Sequence, residues 1–362
     1  MQIGIVGLPN STKTTLFNAL THSQVETTLT SSGKVEVHTA SVEVPDRRVD
    51  VLTELFKPRK TTHARVQYND VAGLKASGGT ERTLSGQLLN ALSQNDALLH
   101  VVRAFEDEKI PHPEGNVDAV RDFAALEFEF LISDLGIVER RLERLSHDLD
   151  RKGSYPERDL DQAEMDLLEK LRVALENERP IRSLDLSERE KRLLKGFQFL
   201  TAKAELIALN VGDDGSEDAG KFGLRVSRTD KIVCLHGALE MEISQLPQED
   251  ADLFLSEYGI QEPGLNRMIR LNYELLGLQS FFTVGEDEVR AWTIPQGATA
   301  VEAAGVIHSD LARGFIRAEV VSYQDLIKAG SLGEARKRGK LRLEGKEYLV
   351  QDGDILNIRF NV

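Results

Sequence analysis

The chain has 362 residues, 41% of them hydrophobic and 29% charged, enough for two or three domains with cores of their own. Its 45 basic and 59 acidic side chains give a net charge of −14, which argues against general nucleic-acid binding but leaves room for a local basic patch. A lone cysteine, Cys234, excludes an internal disulfide, and neither a membrane-length apolar run nor a signal-peptide pattern is present, so a cytoplasmic protein without a membrane partner is expected.

Ile3-Gly4-Ile5-Val6 is the kind of short apolar run that makes a buried parallel strand, and Leu16-Phe17-Asn18-Ala19-Leu20 reads as helix. Between them lies Gly7-Leu8-Pro9-Asn10-Ser11-Thr12-Lys13-Thr14-Thr15. A tight loop carrying a lysine and hydroxyls between strand and helix is the context of a phosphate-binding loop. Backbone N–H groups there converge on one spot and favour an anion. Asn10, Ser11, Thr12, Lys13, Thr14 and Thr15 are therefore candidate nucleotide-binding residues, with Lys13 reaching the terminal phosphates and Thr14 placed to ligate magnesium. One position departs from G-x-x-x-x-G-K-[ST]: Thr12 stands where the second glycine belongs, and its Cβ is expected to weaken phosphate binding. A plain strand–turn–helix with a surface lysine is the alternative.

Residues 22–34, rich in Thr and Ser, suit either a nucleotide-sensing switch or a polar connection. A half-exposed strand over 35–44 and a helix from Pro45 to about Phe56 follow. The strand Ala64 to Asn69 ends in Asp70-Val71-Ala72-Gly73. In P-loop hydrolases such an aspartate holds magnesium and the glycine N–H meets the γ-phosphate, so Asp70 and Gly73 join the candidates. Leu74 stands where Ras-like enzymes carry a water-orienting glutamine, and residues 75–80 read as a loop.

The apolar run Ala97 to Arg103 suits a central strand, with His100 a hydrogen-bonded core histidine. His112 lies in the Pro/Gly-bounded loop Ile110 to Gly115, a place for function or simply for an exposed histidine. Leu131, Leu135, Val138, Leu142, Leu145 and Leu149 make a coiled-coil seam in a helix over 122–151. After a turn at 152–156, a helix over 157–178 carries Leu160, Ala163, Leu167, Leu171 and Ala174 on one stripe, so an antiparallel helical hairpin is expected, basic at its distal end.

A strand over 204–209 leads into Asn210-Val211-Gly212-Asp213. GTP-binding proteins read guanine with N-K-x-D; Asn210 and Asp213 keep the polar ends and Val211 replaces the lysine. The strand Lys231 to Leu235 precedes His236-Gly237-Ala238, a loop placed to close over a base, and helices follow near 247–257 and 263–276. Strands at 289–295 and 314–320, a basic cluster at 336–342 and a hairpin around Asp352-Gly353 read as a small mixed module suited to RNA or ribosome contact.

Together these features resemble the YchF family, the Obg-like ATPases. The resemblance is strongest at Gly4 to Asn10, His100 to Asp107, Glu262 to Arg267 and Glu288 to Pro295. It implies an α/β P-loop NTPase (G) domain, an inserted antiparallel helical hairpin and a C-terminal ubiquitin-like α+β TGS domain. The corresponding boundaries are 1–121 with 200–279, then 122–199, then 280–362. It also implies a preference for ATP over GTP and His112 orienting the water, beside Lys13, Gly73 and magnesium on Thr14 and Asp70, while Thr12 and the altered switch segments make weak hydrolysis the expectation. The family has N-x-x-E where this chain has Asp213, so GTP is expected beside ATP. A monomer that meets ribosome or RNA through TGS domain and hairpin is expected. The alternative is a catalytically impaired binding module, since residues 27–41 and 75–86 preserve neither of the family's switch motifs.

Overall fold

The computed structural model describes residues 1–21, 36–72, 84–151, 156–212, 215–257, 260 and 262–361. Gly73, Leu74, Asp213, the loop over 22–34 and that over 75–80 fall outside them. In chain order the first elements are β1 (Gln2–Val6), α1 (Lys13–Thr21), β2 (Glu36–Glu43), α2 (Arg47–Phe56), β3 (Lys60–Thr62), β4 (Arg65–Ala72), α3 (Gly86–Ser93) and β5 (Ala97–Ala104). Then come α4 (Ala119–Arg151), α5 (Arg158–Glu176), α6 (Glu188–Leu194), β6 (Ala204–Val211), β7 (Lys231–Leu235), α7 (Gly237–Gln245), α8 (Gln248–Glu257) and α9 (Gly264–Leu275). The last are β8 (Leu278–Val284), β9 (Glu288–Pro295), α10 (Ala300–Ile307), α11 (Ser309–Arg313), β10 (Phe315–Ser322), α12 (Tyr323–Ala329), α13 (Leu332–Lys337), β11 (Arg342–Glu344) and β12 (Asp354–Phe360).

Contacts divide the chain into two compact units, Met1–Ala40 with Gln67–Leu265, and Ser41–Val66 with Asn266–Val362. The first is built on a sheet of order β2-β4-β1-β5-β6-β7, in which β1, β4, β5, β6 and β7 pair in parallel. Continuous apolar runs are what a parallel strand covered on both faces requires, and β5 and β6 are buried along seven of their eight residues. The loops that follow β1, β5 and β7 leave the C-terminal ends of these strands, where open α/β sheets bind ligands.

The helix α4 packs against α5, and Leu131, Val138, Leu142, Leu145, Leu167, Leu168, Leu171 and Leu175 form their shared core. The helices run antiparallel: Arg141 pairs with Glu164, and nearer the turn Arg158 donates to the Leu149 carbonyl. Leu160, expected on the buried stripe, is 54% exposed, while Leu167, Leu171 and Ala174 of that stripe are buried. At the base, buried Asp134 of α4 accepts from the N–H groups of Leu200 and Thr201 and from the Thr201 hydroxyl. Burial pushes its carboxyl up to about 6 against those three donors.

The second unit has a sheet of order β11-β10-β12-β8-β9-β3. Residues 41–66, placed by sequence in the nucleotide domain, belong here: β3 pairs in parallel with β9, and the Arg48 guanidinium lies over the Phe282 ring between Asp46 and Asp352. Nor do residues 345–356 form a local hairpin. Gly353, at φ 87°, turns the chain into β12, which pairs with β10 and β8 instead. Among the described helices none is long and apolar enough to cross a membrane.

Candidate functional site

The loop between β1 and α1 carries its conformation in two residues. Asn10 and Thr12 sit at φ 62° and 68°, in the left-handed region. A β-branched residue is a genuine outlier there, at a cost on the order of 1–3 kcal/mol. Thr12 therefore keeps the backbone shape that glycine would adopt without strain. Its hydroxyl turns towards the Ser11 carbonyl and the Asn210 side chain, so the departure from the loop pattern appears as strain in the main chain. Gly7 is needed for another reason: a Cβ there would lie 2.3 Å from the Val101 carbonyl oxygen of β5.

At the helix end of the loop, Lys13 donates to the Leu8 carbonyl at 2.9 Å. Desolvation brings its ammonium down to about 8, with Asp70 acting in the opposite sense. Thr14 donates to Asp70 Oδ2 at 2.9 Å, across the gap between α1 and the end of β4. Asp70 is fully buried, which raises its pKa; Lys13, Thr14 and His38 pull the other way. Its Oδ1 finds no partner among the described residues, and neither does the buried Ser11 hydroxyl. A buried carboxylate oxygen without a donor, beside a hydroxyl, is the hard-oxygen set that suits magnesium.

Asn210, at the end of β6, spends both ends of its amide on scaffolding. Its Nδ2 donates to Thr12, and its Oδ1 accepts the Gly237 N–H at 2.9 Å. A Cβ on Gly237 would come within 2.7 Å of that oxygen, so glycine is required at this approach. Val211 is buried within β6, and Ala238 is exposed. His236-Gly237-Ala238, expected as a loop, opens α7 instead. His100 is the core histidine expected, 2.9 Å from Glu205 and held neutral by burial, which lowers it to about 4. His100, Glu127 and Glu205 stand close enough to hold a metal, but the Arg182 guanidinium already binds both carboxylates and Asp230.

His112 is held in a way the sequence did not anticipate. Its side chain is only 4% exposed; Nε2 lies 2.7 Å from Asp122 Oδ2 in the first turn of α4, and Nδ1 accepts the Glu114 N–H. Two residues missed by sequence reasoning shape this loop. Buried Arg103, at the end of β5, donates to the carbonyls of Phe105 and Ile110. Asp122 anchors the ring. The signal for Arg103 was a guanidinium closing an apolar strand; for Asp122 there was none. Asn10 donates to the Pro111 carbonyl, linking the loop to the phosphate-binding segment.

A family described as a 50S ribosome-binding GTPase matches residues 2–127. A C-terminal YchF-GTPase family, described as a protein of unknown function (DUF933), matches residues 278–361. The chain is 41% identical over 367 residues to the ribosome-binding ATPase YchF of Bacillus subtilis, covering 99% of each chain. It is 40% identical to the protein of the same name in Escherichia coli O157:H7, again over 99% of both. Among solved structures, the Schizosaccharomyces pombe YchF GTPase matches with a TM-score of 0.88 at 33% identity, covering 99% of this chain and 97% of that one.

Proposed function

The chain belongs to the YchF family, and from that premise we propose that it is a slow P-loop NTPase that acts in the cytoplasm as a ribosome-associated switch. The relatives are named as ribosome-binding ATPases, and one solved relative as a GTPase. The observation that carries the reading is the pairing of Thr14 with Asp70 beneath a loop that holds left-handed geometry even with threonine at position 12. Loop amides gather the phosphate tail, and Lys13 moves from the Leu8 carbonyl to the terminal phosphates. Thr14 and Asp70 are the residues that would hold magnesium, which would supply positive charge to the phosphate tail. The Gly73 N–H supports the γ-phosphate, and His112 orients the attacking water.

On this reading the nucleotide is served by the expected 1–121 and 200–279 less 41–66 and 266–279, which join the C-terminal unit; 122–199 form a helical insert and 280–362 a TGS module. The insert and the TGS module are the surfaces offered to ribosome or RNA by a monomer. Asp213 favours GTP as a ligand beside ATP. A catalytically impaired binding module is the second reading, favoured by a His112 whose two ring nitrogens are both engaged.

Phosphate release from ATP and GTP with magnesium, for wild type and Lys13→Ala, tests the enzyme. Turnover lost in the variant supports it. No calorimetric binding of either triphosphate at millimolar concentration rejects it, and co-sedimentation with ribosomes then decides for the binding module.

A further inference from the structure

The hydrogen bonds around His112 fix its tautomer. Nδ1 accepts the Glu114 N–H at 3.1 Å and so carries no proton, which leaves the proton on Nε2, donated to Asp122 Oδ2 at 2.7 Å. In this pose the ring has no lone pair to accept from a water and no N–H to offer one. The Asp122 carboxylate is equally committed: Oδ1 accepts from Arg121 Nε at 2.9 Å and Nη2 at 2.8 Å. Arg121 in turn donates to the side chain and the carbonyl of Asn116, in the same loop as His112. Two residues of the α4 first turn thus grip one loop at two points. A cavity of about 10 Å³ bordered by Leu8, Ser11, His100, His112 and Asp122 sets this pair directly against the phosphate-binding segment.

We propose that Asp122 is a latch, a positioning residue that stores His112 away from the nucleotide, so that the histidine reaches the attacking water only after the pair opens. The inference rests on the reading of His112 as the group that orients that water. It adds a brake to that reading: part of the slowness of hydrolysis is the fraction of time the latch is closed, since a competent state populated to a tenth runs at a tenth of its intrinsic rate.

Asp122→Asn is the discriminating variant. Its single carbonyl oxygen cannot serve both Arg121 and His112. With that oxygen on Arg121, an NH₂ group faces the Nε2–H, donor against donor. Two measurements on the full chain are compared, kcat for phosphate release and the rate at which diethylpyrocarbonate modifies His112, read by mass spectrometry against exposed His308. The latch requires His112 to be modified about tenfold faster in Asp122→Asn, as the loss of one charge-assisted hydrogen bond implies. It also requires kcat to rise with KM unchanged, and no such gain when Asp122→Asn is made in a His112→Ala background. Asp122→Ala, which removes the acceptor altogether, must behave in the same direction. Unchanged modification overturns the latch whatever the turnover. Faster modification with kcat unchanged or lowered overturns it as well, by showing that the released histidine is not held back from catalysis. Turnover that is equal in wild type and His112→Ala rejects the catalytic role of His112, and the latch with it.

Discussion

The Asn210 side-chain amide, at the end of β6, donates to the hydroxyl of Thr12 in the loop between β1 and α1, so the segment expected to read the base also holds the loop proposed to take the phosphates. The same amide accepts the Gly237 N–H, and one asparagine therefore ties three chain segments together. Thr12 is strained and tethered at once, and the two effects have separable consequences.

Thr12→Gly removes a β-branched residue from φ 68° and with it strain on the order of 1–3 kcal/mol, but it also loses the Asn210 contact and adds chain entropy of about 0.5–1 kcal/mol to the unfolded state. These nearly cancel, so thermal stability is expected to stay within about 1 kcal/mol of wild type. Affinity for both triphosphates is expected to rise, because the loop amides can then close on phosphate without an attached side chain. Calorimetric titration reads it; equal or weaker binding in the variant would show that Thr12 costs the site nothing.

Asn210→Ala leaves the Gly237 N–H without its acceptor and the Thr12 hydroxyl without its donor. A loss of about 1–3 kcal/mol in stability is expected from the buried unpaired group. ATP and GTP should weaken by the same factor, since the residue acts here as a brace. A change in the ratio of the two affinities would assign Asn210 to base reading instead.

The elements that sequence made legible are those whose pattern is set locally. Apolar runs marked β1, β5 and β6 because strands covered on both faces admit little else. Leucines at heptad spacing marked α4, and the sequence pattern singled out Lys13, Thr14 and Asp70, which the fold brings together. What stayed illegible depends on long-range paths. Arg103 looks like the polar end of a strand until the loop over 105–118 folds back on its guanidinium. Asp122 is one acid among many on a long helix. Residues 41–66 leave the nucleotide domain because Thr62 and Arg48 meet Glu288 and Asp352, more than 200 positions away. Asp352-Gly353 carried a genuine turn signal, but β12 pairs with distant strands and the local hairpin never forms.

Asp134→Ala should loosen the base of the helical pair. It strands two backbone N–H groups and the Thr201 hydroxyl in the interior, and a loss of about 2–4 kcal/mol is expected. Asp134→Asn keeps one acceptor oxygen and should lose less. Chemical denaturation measures both. Equal losses would mean that the one acceptor oxygen asparagine keeps contributes nothing and that the site requires both carboxylate oxygens.

The buried group around Arg182 predicts a pH dependence. Glu127, Glu205 and Asp230 all contact this single guanidinium, so full ionisation would bury two uncompensated negative charges. Burial, reinforced by Glu205, raises Glu127 to about 8, and Glu205 is raised as well, while His100 stays neutral and contributes no balancing charge. A carboxyl whose pKa is higher folded than unfolded takes up a proton on folding. Its stabilising share is complete below the unfolded value of about 4.5 and is lost as pH rises through about 8. Wild-type thermal stability should therefore fall relative to Glu127→Gln between pH 5 and pH 9. The two should lie close together at pH 5, because the glutamine carbonyl still accepts from Arg182, and the variant should be the more stable at pH 9. Parallel melting curves across that range would place the shared proton elsewhere in the cluster.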